Sequence, residues 1–208
     1  MKESEKVRRN MKSIKCLIWD FGNTLGHREK GMSGALLEAI QEVYPTSELT
    51  IEKVRPFFPR GLPWDRPDEP HLHLKTTRQF WDSLDPLFEN AFAEMGFDPE
   101  PAQRMAHSMR RIFPDPQRFR LFDDTIPALQ ALSQREWTHI ILSNHVPELP
   151  QIVSALGLDA YISEVFTSAT IGYEKPHPEA FRCVLEKMGP EWDFWMIGDS
   201  MKADIEGA

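Results

Sequence analysis

Three short apolar runs constrain this chain more than any other feature. They are Cys16-Leu17-Ile18-Trp19, Thr138-His139-Ile140-Ile141-Leu142 and Phe194-Trp195-Met196-Ile197. Each reads as a strand. The runs have little polar alternation, the mark of strands buried on both faces in a parallel sheet covered by helices. Glu164-Val165-Phe166-Thr167 reads as a further short strand. Helical segments lie between them: Thr125 caps one through Leu132 with Pro127 in its first turn, Leu149 to Leu156 ends at Gly157, and Pro178 to Met188 closes at Gly189-Pro190. Strand, helix, strand, helix, strand predicts an α/β fold with right-handed crossovers.

Residues 28–118 follow a different pattern. Leu36, Leu37, Ile40 and Val43 fall at helical spacing, and a short helix follows Thr50 as its cap. Pro59 to Pro70 is rich in Pro, Gly and charge and reads as a long loop. Phe80, Trp81, Leu84, Leu87, Phe88, Phe92 and Met95 restore the helical period up to Gly96, and Pro101 to Ile112 adds another helix. The expected division is an α/β core of residues 12–27 and 119–208 with a helical domain of 28–118 between. Met1 to Lys15 reads as a basic, frayed tail.

The 208 residues carry 24 Lys+Arg against 32 Asp+Glu, a formal net charge of -8, and 41% are hydrophobic. That balance is globular and argues against nucleic acid as the main partner. No apolar run reaches the length of a membrane span, and the charged start followed by a short apolar stretch is no secretory signal. Cys16 and Cys183 are the only cysteines, too few for a disulfide framework or thiolate metal cluster. Cytoplasmic residence is the simplest expectation.

Asp20, Ser143 and Asp199 each stand just past the end of an apolar run, at the sheet edge where α/β folds bind ligands. Any one of them alone is commonly a turn former. Together with Lys175 in Gly172-Tyr173-Glu174-Lys175-Pro176 they fit phosphoryl transfer. A carboxylate can attack phosphorus, a hydroxyl and an ammonium can hold phosphoryl oxygens, and a divalent cation offsets the repulsion between carboxylates and phosphate. Mg²⁺ prefers such hard oxygen ligands.

These segments resemble, in order, the motifs of the haloacid dehalogenase-like hydrolase superfamily, which includes many phosphatases. Asp20-Phe21-Gly22-Asn23-Thr24-Leu25 is similar to the first motif. The resemblance implies that Asp20 is a nucleophile and that Asn23 and Thr24 lie at the substrate. Leu142-Ser143-Asn144 is similar to the second, which implies that Ser143 binds phosphoryl oxygens; Asn144 joins the substrate site or holds the Asp20 loop. Lys175 matches the third motif. Gly198-Asp199-Ser200 with Asp204 matches the acidic motif, which implies a Mg²⁺ site of Asp20, the Gly22 backbone carbonyl, Asp199 and Asp204. The implied fold is a Rossmann-like three-layer sandwich with a parallel sheet and a helical cap. The implied activity is hydrolysis of a small phosphorylated metabolite through an aspartyl-phosphate.

The chain departs from the family pattern in two places. Gly22 stands where most such phosphatases have an acid/base Asp; His27 or a cap residue is the substitute to test. Second, the sequence after Asp204 resembles one that normally runs through a helix into another strand. The chain is therefore expected to be a shortened form, its last strand open to self-association along an uncovered edge. The alternatives are a 2-haloacid dehalogenase with an ester at Asp20, against which the acidic motif argues, and a weakly active or non-catalytic regulatory protein. A phosphonatase would need a cap lysine, and Lys75 is the one weak candidate. Among smaller signals, His71 and His73 lack partners for a metal site, and Arg110, Arg111, Arg118 and Arg120 read as residues that cover a helix face or form ion pairs, with help in holding an anionic substrate as the alternative. His145 is a candidate for facing substrate, and Trp192 and Trp195 read as packing residues.

Overall fold

The computed structural model describes residues 14–74 and 76–208. Strand β1 spans Ile14–Trp19, so the predicted tail loses Ile14 and Lys15 to the sheet, and residues 1–13 lie outside the described residues. Strand β2 (Gly26–Arg28) leads into helix α1 (Gly31–Val43), a short α2 (Ile51–Val54), and the long helices α3 (Thr77–Glu94) and α4 (Pro99–Ile112). Strand β3 (Phe119–Leu121) returns the chain to the core. There α5 (Thr125–Ser133), β4 (Thr138–Ser143), α6 (Leu149–Ala155), β5 (Ile162–Thr167), α7 (Ser168–Ile171), α8 (Pro178–Met188) and β6 (Trp192–Ile197) follow.

The four long strands form a parallel sheet in the order β5-β4-β1-β6. Alternation along β1 explains why its sequence lacks polar positions. Leu17 and Trp19 join Leu129, Ile141, Ile152 and Val153 on one face, under α5 and α6. Cys16 and Ile18 join Ile140, Leu142, Phe181 and Val184 on the other, under α8. Both faces are covered, giving the three-layer α/β sandwich. The chain steps from β1 to β4 and β5, then crosses back to β6 on the far side of β1. That reversal places the binding crevice beside the C-terminal end of β1.

Helices α1, α3 and α4 bury Leu36, Ile40, Phe80, Trp81, Phe88, Phe92, Met105 and Met109 in a cluster of their own, the cap. Val146 and Ala169 of the core also join it. Two differences from the sequence reading stand at its border. Gly26–Arg28 and Phe119–Leu121 pair as an antiparallel ribbon, so Arg28 is a strand residue and both crossings between core and cap are joined side by side. Three-residue strands are too short to show a period. Arg28, 7% exposed, then donates to the Ile112 and Phe113 carbonyls at the end of α4, at 3.2 and 3.1 Å. Arginine near a helix C-terminus satisfies carbonyls that have no intrahelical partner.

Thr125 is the first residue of its helix rather than the cap, and its hydroxyl donates to the Leu25 carbonyl at 2.6 Å. Thr50 makes no side-chain cap bond. The four arginines of the basic patch are ion-paired: Arg110 with Asp82 and Asp85, Arg111 with Glu42, Arg118 with Glu38, and Arg120 with Glu29. Strand β6 is an edge strand among the described residues, and Trp195 on it is 59% exposed, not packed as its size suggested. No helix is long and apolar enough to cross a membrane among the described residues.

Candidate active site

Asp20 follows β1 directly, and its backbone N–H donates to the Ile197 carbonyl of β6 at 2.8 Å. Its carboxylate is therefore fixed at the sheet edge between β4 and β6. Two donors converge on one of its oxygens: Ser143, the last residue of β4, donates to Oδ1 at 2.9 Å, and Lys175 Nζ donates to the same atom at 2.9 Å. Both donors are 2% exposed and Asp20 is 7% exposed. Oδ2, the oxygen nearer Gly22, accepts no hydrogen bond among the described residues. Burial pushes the Asp20 carboxyl up; the adjacent Lys175 pulls it down by less, so the net direction is above the usual carboxylate range.

Lys175 is held from three sides. Its Nζ also donates to Asp204 Oδ1 at 2.5 Å. Its backbone is bracketed by Asn144, whose amide nitrogen donates to the Lys175 carbonyl at 2.8 Å and whose amide oxygen accepts the Lys175 N–H at 2.7 Å. Asn144 thus fixes the lysine loop and not the Asp20 loop. Asp204, 1% exposed, accepts the Ser200 N–H on Oδ2 at 3.0 Å. A Cβ at Gly198 would overlap the Asp204 carboxylate, which explains the glycine in Gly198-Asp199-Ser200.

A cavity of about 480 Å³ opens over this cluster. Asp20, Gly22, Asn23, Ser143, Lys175, Asp199 and Asp204 line it, and Trp64, Asp65 and Pro67 of the cap form the facing wall. Asp199 is on its exposed side. Asp65 was not expected here. It lies in the Pro-rich loop, where its Oδ2 accepts the Gly61 and Leu62 N–H groups at 2.9 and 3.1 Å. Acidity inside a loop looks like solvation in a sequence, and only the loop's placement gives it a role.

Several candidates lie elsewhere. The Thr24 hydroxyl is buried without a partner among the described residues, and Thr24 does not line the cavity. His27 pairs with Arg120 in the β2–β3 ribbon, its ring lies tilted against Phe122 at 5.1 Å, and it is not among the residues that line the cavity. His145 turns away from the cavity, its ring 5.8 Å from that of Phe21, 6.0 Å from Phe119 and 6.2 Å from Phe113. Although part of the residue reaches solvent, its Nδ1 is buried with no partner among the described residues, and burial lowers its pKa to about 4. Lys75 lies outside the described residues.

The donor set suits a hard cation. Asp20 Oδ2 accepts no hydrogen bond among the described residues, and Gly22 and Asp199, which can offer a backbone carbonyl and a carboxylate, line the same cavity. No group of three or more His, Cys, Asp or Glu side chains is arranged to hold a metal ion among the described residues. Asp204 has both oxygens engaged, which leaves two side-chain carboxylates and a carbonyl. Mg²⁺ is commonly held in this way, by one or two carboxylates with waters and substrate phosphate completing the octahedron.

The parallel sheet, the cap over its carboxyl edge and the lysine-held aspartate between them define a capped α/β hydrolase. The model of the haloacid dehalogenase-like hydrolase family matches residues 14–208, and the chain belongs to that family. It is 28% identical over 138 residues to haloacid dehalogenase-like hydrolase domain-containing protein 3 of Bos taurus, covering 65% of this chain and 54% of that protein. The chain thus spans about half the length of that relative. It is 26% identical over 191 residues to the glyceraldehyde 3-phosphate phosphatase of Methanopyrus kandleri, covering 85% and 79%. Among solved structures it is similar to the HAD-hydrolase YfnB from Bacillus subtilis bound to magnesium, with a TM-score of 0.65, 23% identity, and 94% and 84% of the two chains covered.

Proposed function

We propose that this chain is a Mg²⁺-dependent phosphatase that hydrolyses a small phosphate monoester through an aspartyl-phosphate at Asp20. The observation that carries the reading is the convergence of Ser143 and Lys175 on Asp20 Oδ1, which leaves Oδ2 free of donors beneath the cavity. An ionised, oriented carboxylate is what nucleophilic attack requires. Oδ2 attacks phosphorus, the bond to the ester oxygen breaks, and the alcohol leaves with a proton drawn from water. Water then attacks the phosphoryl group, the bond to Asp20 breaks, and inorganic phosphate departs. Ser143 O–H can turn from Asp20 to a phosphoryl oxygen, and the Lys175 ammonium offsets the charge gathered there. The Asp20 carboxylate oxygen that does not attack, the Gly22 carbonyl and Asp199 would hold Mg²⁺. Its contribution is to screen the carboxylates from the incoming dianion.

Trp64 and Pro67 form an apolar wall over the cluster and favour a compact organic group. The named activity of the Methanopyrus kandleri relative makes triose phosphates the first compounds to test. Gly22 favours a second reading, a weakly active regulatory protein, because it offers no acid/base side chain. A screen of phosphorylated metabolites with and without Mg²⁺ tests both. Phosphate release that needs Mg²⁺ and is lost in Asp20→Asn supports the phosphatase. Halide release from a 2-haloacid without metal identifies a dehalogenase instead, and binding without turnover supports the regulatory reading.

A further inference from the structure

The cap segment that follows Pro67 reaches across to the loop that carries Lys175. His71 Nε2 lies 3.1 Å from Glu174 Oε1, and the His71 backbone N–H donates to the Gly172 carbonyl at 2.9 Å. Glu174 is 0% and His71 6% exposed. Leu72 closes the contact. Gly172 sits at φ +83°, and a Cβ there would stand 2.6 Å from Leu72 Cδ2. A side-chain pair, a main-chain bond and a packing contact therefore meet at one point.

Stability alone does not account for this pair. Desolvation of the buried polar groups offsets most of their attraction, so such a buried contact is a weak stabiliser. This one is also incomplete, because His71 Nδ1 and Glu174 Oε2 are buried with no partner among the described residues. Each such atom costs roughly 1–3 kcal/mol. What the contact does supply is geometry. Glu174 immediately precedes Lys175, and Asn144 brackets the Lys175 backbone from the core. The lysine loop is gripped between Asn144 of the core and His71 of the cap.

We propose that His71 and Glu174 are positioning residues that aim Lys175 at Asp20, so that seating of the cap on the core sets the lysine. The inference rests on the phosphatase reading above. His71 acts through Glu174, and Glu174 acts through the backbone of Lys175. Misplacing a catalytic group by about 1 Å can cost on the order of 10²-fold in rate.

The test uses the full chain with p-nitrophenyl phosphate and Mg²⁺. His71→Ala and Glu174→Ala each lower kcat by about tenfold or more, with KM within about twofold of wild type, the pattern of a lost transition-state interaction. His71→Gln, which keeps a donor facing Glu174, restores most of the loss. The double variant is no worse than the poorer single one, because the two act as a unit. His73→Ala, at an exposed neighbour, leaves kcat unchanged. Amide hydrogen exchange over residues 172–177, which needs no turnover, accelerates in His71→Ala while the sheet amides stay protected. Wild-type kcat in the alanine variants, even with a lower melting temperature, overturns the proposal; so does unchanged exchange over 172–177. If wild type itself shows no turnover, the phosphatase reading fails, and the exchange data alone decide whether His71 fixes the loop.

Discussion

Asp204 and Lys175 meet at 2.5 Å inside the protein, and the same ammonium reaches Asp20 at 2.9 Å. Asp204 thus acts on Asp20 through the lysine. Removing it in Asp204→Ala leaves Lys175 tethered on one side, and kcat should fall by about tenfold or more. Gly198→Ala should reproduce that loss, because the added Cβ displaces the Asp204 carboxylate. Steady-state kinetics on both variants checks this; equal wild-type rates would remove Asp204 from the network.

Lys175→Ala should be both inactive and unstable. It leaves the Asp20 and Asp204 carboxylates buried together without their cation, and breaking a buried pair costs about 3–5 kcal/mol. Turnover should drop by at least about tenfold. Stability should also depend on pH differently from wild type. With the lysine gone, the cation that held the Asp20 carboxyl down is lost, and burial raises it further above its unfolded value. The folded state then binds more protons than the unfolded state, and the variant regains stability as pH falls. Urea unfolding of the variant and wild type at pH 7 and pH 5 measures the difference.

Gly22→Asp should raise the rate. A Cβ at position 22 would have Asp20 Oδ2 as its one neighbour within 4 Å among the described residues, at 4.0 Å, an ordinary contact. A carboxyl there supplies the missing acid and base, worth roughly 10²- to 10⁴-fold. The gain should be larger for alkyl phosphates, whose leaving groups need a proton, than for aryl phosphates. An unchanged ratio between the two substrate types would mean that another group, such as Asp65, already donates.

His145 gives the protein an acid-sensitive core. Its ring is neutral when folded, with a pKa lowered by burial from the ordinary 6.5 to about 4. Between those values the unfolded state binds the extra proton, so stability is fully present above pH 6.5 and is lost as pH falls toward 4. The loss is about 3 kcal/mol. Chemical denaturation from pH 7 to pH 4 should show this slope, and His145→Phe, which puts a ring that cannot take a proton beside Phe21, Phe113 and Phe119, should flatten it.

The apolar runs and their terminal residues made the sheet legible without coordinates. Strands buried on both faces cannot alternate, and Asp20, Ser143 and Lys175 stand beside turn-forming or strand-ending residues that restrict where they point. Chance placed some residues of the same type near those motifs, and local sequence could not separate them. Thr24 and His145 are each within a few residues of Asp20 or Ser143, yet one hydroxyl is buried behind the loop and one imidazole lies among phenylalanines.

The chain's own order of residues determined the α/β core, the helical insertion and the loop that carries each polar group, because periodicity and turn chemistry are local. Tertiary structure alone decided the pairings. Lys175 chose Asp204 across 29 positions, Glu174 met His71 across 103, and Asp65 arrived at the cavity wall from the cap. Those contacts depend on how segments distant in the chain pack, and close approach in space leaves no period in the sequence.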